Sequence, residues 1–295
     1  MKRSLPFILI LLLIGGCIWA QENLRERGSK LSLLMERADS GDAKALYDLA
    51  YLHDIGFDTI SVDTVLSTAL YLKSAEKGYA PAMNFIGFRY YKGESVDKNI
   101  DSALYWIRKA GDAGDITAAA NLGYLLTEGE GVKHDEEEAV KWLTIAAEEG
   151  VKEAQLKLLD LQQDIWDALP PDSALSLGAH YYTGKAPIIG THILKNAADA
   201  GNSKALALLG DAYSKGFGVP YNHQLAIDYF YQAAVGGDPS AQFILGELLE
   251  IFPDALNNQK DISPSQTISQ YWFEKAEQKG VTDSESAYQE LINIP

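Results

Sequence analysis

The residue types that most often carry out chemistry are represented here by five histidines and a single cysteine. None of the histidines has a second ligand at metal-binding spacing, His-Glu-x-x-His does not occur, and Cys17 has no partner cysteine. A zinc site draws three or four such ligands together, so no metal site is predicted. The histidines are His53, His134, His180, His192 and His223.

Motifs for nucleotide binding and nucleophilic catalysis are also missing from the sequence. Neither a Gly-x-x-x-x-Gly-Lys-Ser/Thr phosphate loop nor a Gly-x-Ser-x-Gly elbow occurs. The Gly-x-Gly pairs at Gly129 and Gly216 lack the preceding strand that a dinucleotide fingerprint needs. The sequence therefore predicts no cofactor.

The remaining candidates are four consecutive carboxylates, Asp135 to Glu138, and three tryptophans. The acidic run could bind calcium or a basic partner, but it also fits a helix start, where the helix dipole favours negative charge. Trp106, Trp142 and Trp272 occupy matching positions of the repeat described next, which indicates core packing more than a sugar-binding platform. We predict no catalytic residues and interpret the chain as non-enzymatic.

An internal repeat of 36 residues must position the other side chains. Gly78, Gly114 and Gly150 each close an Ala-rich stretch at this interval, and Gly201 and Gly237 do so after an irregular gap. A fixed period of roughly 20–50 residues is typical of stacked structural units. Each unit also carries a block with alanine, then leucine or isoleucine four residues later, then glycine. These blocks are Ala82–Gly87, Ala118–Gly123, Ala205–Gly210 and Ala241–Gly246.

Each period is predicted to be a helical hairpin. Ala118, Leu122 and Leu126 share one helical face, because they are spaced by four. Gly129 suits the end of this first helix, and Asp135 with Glu138 fits a capping box that starts the second helix. The glycine inside the first helix, such as Gly123, costs up to about 1 kcal/mol relative to alanine. Its recurrence predicts that a neighbouring helix approaches closely there.

These motifs closely resemble the Sel-one-like repeat, a relative of the tetratricopeptide repeat with a slightly longer period. The matching patterns are Ala-x3-Leu-Gly-x2-Tyr, Gly-x-Gly-Val, Ala-x2-Trp and Ala-Ala-x2-Gly, over roughly residues 41–280. The resemblance implies an all-α fold, a right-handed α-solenoid of about six stacked antiparallel hairpins. It also implies binding of a protein or peptide through an inner, concave face.

The domain boundaries follow from the repeat. Residues 21–41 are predicted to form an N-terminal capping helix, and residues 281–295 a C-terminal capping helix that reads like a lone first helix. The repeats divide into an N-terminal array, 42–168, and a C-terminal array, 169–280.

The division rests on an extra helix. Residues 152–168 look helical yet precede a shortened repeat, so we predict a kink near Pro170 between two short solenoids. A degenerate repeat that keeps the stack continuous through residues 152–172 is the alternative.

Residues 1–20 read as an export signal. A short basic start, an apolar run and Ile14-Gly15-Gly16-Cys17 resemble a bacterial lipobox, which would leave Cys17 lipidated. Cleavage after Ala20, giving a soluble product, and an uncleaved anchor are the alternatives. All three place the protein outside the cytoplasm, in the bacterial cell envelope as a membrane-anchored lipoprotein, or as a periplasmic or secreted protein.

The formal net charge of −16 excludes one class of partner. Binding to nucleic acid without sequence preference rests on lysine and arginine neutralising phosphates, which an acidic chain cannot supply. Docking on anionic lipid through a basic face is disfavoured for the same reason. We therefore expect membrane attachment only through an N-terminal lipid.

By resemblance to tetratricopeptide packing, the third and sixth residues after each leading alanine face the groove. Large aromatics are enriched at binding hot spots, which favours these positions as a partner site. The alternative is that the aromatics pack between helices. The predicted partner-binding residues are Asp48, Tyr51, Phe85, Phe88, Asn121, Tyr124, Leu208 and Asp211, and Ile244 and Glu247 hold the same positions in the sixth repeat.

The sequence thus predicts a non-enzymatic scaffold of the cell envelope that binds a protein or peptide. Two alternatives remain open: a hydrolase or a regulator of a cell-wall enzyme acting on peptidoglycan, and a structural spacer.

Overall fold

The computed structural model describes residues 24–57, 59–253, 255–256 and 267–293. Within them the chain forms fifteen α-helices, and the only extended pairing is an isolated bridge between Phe57 and Ile60. The predicted all-α fold of stacked antiparallel helical hairpins is confirmed. Cys17 and the export signal lie outside the described residues, as does most of the insertion that follows Pro253.

The helices are numbered in chain order. They are α1 (Leu24–Asp39), α2 (Ala43–Ile55), α3 (Thr64–Glu76), α4 (Ala80–Lys92), α5 (Ile100–Asp112), α6 (Ile116–Glu128), α7 (Glu136–Glu148), α8 (Lys152–Asp167), α9 (Pro171–Thr183), α10 (Pro187–Asp199), α11 (Ser203–Lys215), α12 (His223–Val235), α13 (Pro239–Ile251), α14 (Ile268–Glu277) and α15 (Ser284–Ile292).

The chain divides into two compact units, Met1–Trp142 and Leu143–Pro295, with the division inside α7. In the first unit, α2 packs against α3 and α4 against α5, and α1 packs on α2. In the second unit the hairpins are α9–α10, α11–α12 and α13–α14. The kink predicted near Pro170 lies at a different place in the chain from this division, and it remains a prediction.

Two of the turns between repeats, at residues 113–115 and 236–238, are three-residue connectors that end in glycine and aspartate. Gly114 has a φ of +86° and Gly237 a φ of +92°, a left-handed conformation that glycine adopts without steric cost. The following Asp115 and Asp238 then cap the next helix, each accepting a hydrogen bond at 2.8 Å from the backbone N–H three residues later. This satisfies one of the unpaired donors at the helix start.

The glycine inside each first helix lets the second helix approach closely, as predicted. A Cβ on Gly87 would lie 2.5 Å from Ile107 Cγ1 and 3.1 Å from the Ala103 carbonyl oxygen. A Cβ on Gly210 would lie 2.9 Å from the Phe230 ring. The cost in helix propensity is therefore offset by packing that a larger residue would prevent.

The acidic run does begin a helix, but only half of the predicted capping box forms. Asp135 accepts a hydrogen bond from the Glu138 N–H at 2.9 Å. The Glu138 carboxylate instead binds the Arg108 guanidinium at 2.9 and 3.0 Å and the Trp142 indole N–H at 3.2 Å. Arg108 thereby holds the pKa of Glu138 below its usual value. Trp142 packs on the core of the first unit, as its repeat position predicts.

The extra helix, α8, runs beside α10 in the same direction. Near its start, Gln155 accepts a hydrogen bond from the Ile188 N–H at 3.1 Å, in the first turn of α10. Just past its end, the Leu169 carbonyl accepts a hydrogen bond at 2.9 Å from Asn196, near the end of α10. Because the start of α8 contacts the start of α10, and the end of α8 contacts the end of α10, the two helices run parallel.

Candidate protein-binding site

In the first unit, α2, α4 and α6 present the predicted groove residues. All six of them are half-buried side chains, which leaves part of each surface available for contact. They are the first repeat's Asp48 and Tyr51, the second repeat's Phe85 and Phe88, and the third repeat's Asn121 and Tyr124. Phe85 also stacks on a second helix, so we call the other five residues the inner face of the first unit.

An amide pair links two helices of the inner face. Asn121 Nδ2 in α6 donates to Asn84 Oδ1 in α4 at 3.3 Å. Side-chain amides carry both donors and acceptors, and can therefore also pair with the backbone of an extended peptide. Two amides side by side on neighbouring first helices give this face a polar centre.

Aromatic and charged groups flank that centre. Phe88 packs against the core of the first unit while remaining half-buried. At the start of the face, Lys44 Nζ lies 2.6 Å from Asp48 Oδ2, one turn apart on α2. This ion pair, chiefly through its hydrogen bond, raises the pKa of Lys44. The inner face thus combines apolar, amide and paired charged groups.

Phe85 packs between helices, which is the alternative given above for the aromatic groove residues. Its ring stacks on Tyr71 of α3, with centroids 4.1 Å apart. The Arg89 guanidinium carbon lies 5.2 Å from the Phe85 ring centroid on α4. Phe85 is half-buried, and it contributes chiefly to the joint between the first and second repeats.

Arg89 belongs to a buried polar network that was not predicted from the sequence. Its Nη2 lies 2.5 Å from Asp54 Oδ1, and its Nη1 donates to the Thr64 carbonyl at 3.2 Å and to the Thr68 hydroxyl. The guanidinium is almost fully buried, and it ties α4 to the end of α2 and the start of α3. Burial and, secondarily, the nearby Asp54 raise the pKa of Tyr71.

A weak signal for this network exists in the sequence. Arg89 is the seventh residue after its leading alanine, where the third, fifth and sixth repeats have Leu125, Ala212 and Leu248. A charged residue at an otherwise apolar repeat position predicts a special environment. Its partner could not be identified from the repeat, because Asp54 is 35 residues away in the chain.

In the second unit, the prediction for Leu208 and Asp211 requires correction. Leu208 is fully buried and Asp211 is only 7% exposed, so neither lines an accessible groove. Asp211 accepts a hydrogen bond from the Tyr182 hydroxyl at 2.7 Å and pairs with Lys215 at 2.8 Å. The carboxylate is therefore neutralised within the packing of α9 and α11, where its desolvation is compensated.

The sixth repeat differs again, because α15 lies on its groove positions. Ile244 packs against a cluster that includes Ala287 of α15, and Glu247 contacts the hydroxyl of Ser284. The sequence predicted that α15 would act as a lone first helix of a further repeat. Instead it crosses helices of earlier repeats.

Within residues 24–57, 59–253, 255–256 and 267–293, no three His, Cys, Asp or Glu side chains converge in a way that could hold a metal ion. Among the helices of this same part of the chain, none is both long and apolar enough to cross a membrane.

Comparison with known proteins places the chain in a family. The Sel1 repeat model matches five segments, which together cover more than half of the chain, and the chain belongs to the Sel1-repeat family. Proteins of this family generally mediate protein–protein interaction and are typically non-catalytic scaffolds. The matched segments are residues 43–79, 80–115, 116–151, 203–238 and 239–281.

Individual relatives are distant. An uncharacterised protein of Neisseria meningitidis serogroup B is 24% identical over 297 residues, which cover 93% of this chain and 58% of that protein. The chain thus spans less than two thirds of that relative.

Two crystal structures are also similar. One is of a protective antigen present in uropathogenic Escherichia coli strains, displaying an SLR fold. It is 26% identical with a TM-score of 0.42, over 88% of this chain and 63% of that one. The other is of a Sel1 repeat protein from Oxalobacter formigenes, 26% identical with a TM-score of 0.43, over 85% of this chain and 92% of that one.

Proposed function

We propose that this protein is a non-enzymatic scaffold that binds a protein or peptide through the inner face of the first unit. The observation that carries the proposal is the half-burial of all five inner-face residues on α2, α4 and α6. Half-buried side chains are held in place by their neighbours and still offer surface to a partner. The general role of Sel1-repeat proteins in protein–protein interaction supports the same conclusion.

The mechanism is contact with a surface that is already ordered. Tyr51, Phe88 and Tyr124 supply large, rigid rings, the residue types that dominate binding energy at interfaces. Asn84 and Asn121 supply amide groups for the backbone of an extended segment. Because the helices hold these side chains before binding, less conformational entropy is lost on association.

We further propose that the protein acts outside the cytoplasm. The support is the basic start and apolar run of residues 1–20, together with the position of Cys17. Lipidation of Cys17 would attach the protein to a membrane through its N-terminal segment. Radiolabelled palmitate should label the wild-type chain and not a Cys17→Ser variant. Equal labelling of both would contradict this part of the proposal.

The binding proposal is tested by affinity capture followed by titration. The full-length chain is used to capture partners from envelope extracts, and a captured protein is then titrated by calorimetry. We expect Tyr124→Ala and Phe88→Ala each to weaken binding about tenfold or more, because hot-spot truncation costs about 2 kcal/mol or more. Tyr105→Ala is the matched control, since Tyr105 is an exposed aromatic on a second helix, α5.

The control must keep its affinity, and circular dichroism must show that each variant is folded. Unchanged binding by a folded Phe88→Ala/Tyr124→Ala double variant would overturn the inner face as the binding site. Turnover of peptidoglycan fragments by the purified chain would overturn the non-enzymatic assignment.

A further inference from the structure

The docking of α15 is the feature that the proposed function leaves unexplained. Its first residue, Ser284, donates a hydrogen bond to Glu247, in the second half of α13. Near its end, the carbonyl of Glu290 accepts a hydrogen bond from Lys204 Nζ, in the first turn of α11. The helix therefore runs across α13 toward α11.

The direction of α15 separates it from the first helices of the repeats. A further first helix would start beside the start of α13. Instead, the last turn of α15 lies there, because Gln289, Ile292 and Asn293 line a cavity together with Pro239, the first residue of α13. α15 therefore packs across α13 and α11 and does not continue the stack of hairpins.

What α15 covers is a set of groove positions. Ala287 packs in a cluster with Val281 and Ala276, against which Ile244 and Phe243 of α13 also pack. Ile244 and Glu247 hold the same repeat positions as the inner-face residues of the first unit. In the sixth repeat these positions are therefore already occupied by a helix of the chain itself.

The contacts define the kind of helix that this surface accepts. A small residue, Ala287, and a leucine four residues later, Leu291, are both fully buried. Between them, Tyr288 places its ring centroid 4.5 Å from Lys215 Nζ, within the range of a cation–π contact. Lys204 binds a carbonyl in the last turn, where a cation is favoured by the helix dipole.

The attachment of α15 is limited. It has nine residues, fewer than the roughly 12–15 that an isolated helix needs to be stable in water. Ala287 and Leu291 are its only buried residues among those described, and Tyr288 is 42% exposed. Segments with few buried contacts open locally without global unfolding.

We propose that the surface formed by α11 and α13 is a binding site for an amphipathic helix, and that α15 is its resident occupant. The ligand is a helix of another protein that has a small residue, an aromatic residue at the next position, and a leucine four residues after the small one. Such a ligand lays its apolar face into the surface, takes the cation–π contact with Lys215, and displaces α15. This site is independent of the inner face of the first unit.

The test uses the full-length chain and a fluorescein-labelled peptide with the sequence of residues 281–293, followed by fluorescence anisotropy. Leu291→Ser loosens α15 without altering α11 or α13, so we expect it to bind the peptide at least tenfold more tightly than the wild type. A peptide carrying Ala287→Glu and Leu291→Ser is the matched control and should not bind. Equal peptide affinity of wild type and Leu291→Ser would overturn the proposal.

A locked variant tests the same site in the opposite direction. In a Cys17→Ser background, Glu247→Cys and Ser284→Cys are joined by a short thiol-reactive crosslinker, which should abolish peptide binding. Binding that survives crosslinking would place the peptide elsewhere and overturn the proposal.

Hydrogen exchange shows whether α15 detaches by itself. In Leu291→Ser and in Lys204→Met, the amides of α15 should exchange faster while those of α13 keep their protection. Loss of protection in α13 in both variants would show that α15 is an inseparable part of the fold. A concentration-dependent dimer of the loosened chain would show exchange of α15 between copies. Either result would overturn the proposal.

Discussion

Arg89 joins the first two repeats through a buried ion pair and hydrogen bonds. It is 6% exposed and brings its charge into contact with Asp54 and the start of α3. A buried ion pair gains little over an apolar pair of the same volume, because both charges lose their hydration. Removing one member is costly, because the other charge is then left in the interior.

We therefore predict that Arg89→Met lowers the free energy of unfolding by about 3–5 kcal/mol. Urea denaturation followed by circular dichroism measures this change. Lys141→Met is the control, since Lys141 and Glu137 form an exposed pair, and it should leave the unfolding midpoint unchanged. Adding Asp54→Asn to Arg89→Met should restore part of the loss. A midpoint for Arg89→Met equal to that of the control would contradict the network.

Asp238 gives a prediction about pH. It is buried at the N-terminus of α13, and this burial raises its pKa, against the opposing effect of hydrogen bonding and of Lys204. A carboxyl whose folded-state pKa is raised contributes stability below its unfolded pKa, and that contribution is lost as pH rises through the folded pKa. At neutral pH the ionised Asp238 is therefore a net cost to the folded state.

Asp238→Asn should raise the thermal unfolding midpoint at pH 7, because asparagine caps a helix as well as aspartate does. Near pH 3, where Asp238 is protonated in both states, the gain should vanish. Asp283→Asn is the matched control at the start of α15. The backbone hydrogen bond from Ser286 lowers the pKa of Asp283, so its replacement should give no gain at neutral pH. A gain for Asp238→Asn that persists at pH 3 would contradict this account.

At the scale of the helical pair, replacing Gly87 has two opposing effects on the free energy of unfolding, because α4 and α5 approach closely there. Alanine improves helix propensity by up to about 1 kcal/mol, whereas overpacking a core costs about 1–3 kcal/mol. The contact at 3.1 Å is with backbone of α5, which cannot rotate away. We expect Gly87→Ala to lower the free energy of unfolding by about 1–2 kcal/mol in urea titration.

Ile107→Ala provides the check on that mechanism, because Ile107 Cγ1 makes the shortest contact with the added Cβ. The double variant should be less destabilised than the sum of the two single variants. Strict additivity would mean that the two positions do not compete for the same space.

Much of the helical architecture could be predicted because the repeat is specified locally. Gly114 and Asp115 mark a helix boundary through their own conformation and hydrogen bonds, and Gly87 marks a close contact within one hairpin. Groove accessibility could not be predicted in the same way. Helical spacing assigns Leu208 and Ile244 to a face, but whether another element covers that face depends on packing between segments far apart in the chain.

The position of α15 shows the same limit. Gly280 and Asp283 repeat the signals that precede a first helix, and the sequence accordingly predicted one. Its direction is set by Lys204 and Glu247, which contact it from 86 and 37 residues away. Local signals specify that a helix begins, and distant contacts determine where it lies.

For the whole molecule, stability should be distributed as in other repeat proteins, as a sum of terms within repeats and between neighbours. The two compact units permit a direct test. We predict that Gly87→Ala increases hydrogen exchange in α4 and α5 but not in α11 and α12. Gly210→Ala should do the reverse, because its Cβ meets the Phe230 ring.

Native-state hydrogen exchange with mass spectrometry measures both variants under the same conditions. The wild type provides the reference for each peptide. A uniform increase across both units in either variant would show that the chain opens as a single cooperative body.

The connector of a left-handed glycine and a capping aspartate occurs with the same geometry at Gly114–Asp115 and Gly237–Asp238. A gene cut after one glycine codon and rejoined after another would therefore encode a joint that already exists in the protein. Unequal recombination between the homologous coding segments could remove or duplicate whole periods without creating a foreign turn. An insertion or deletion of a few codons would instead place bulky residues at the glycine positions where a neighbouring helix approaches closely. We therefore expect chain length to change during evolution in steps of one period.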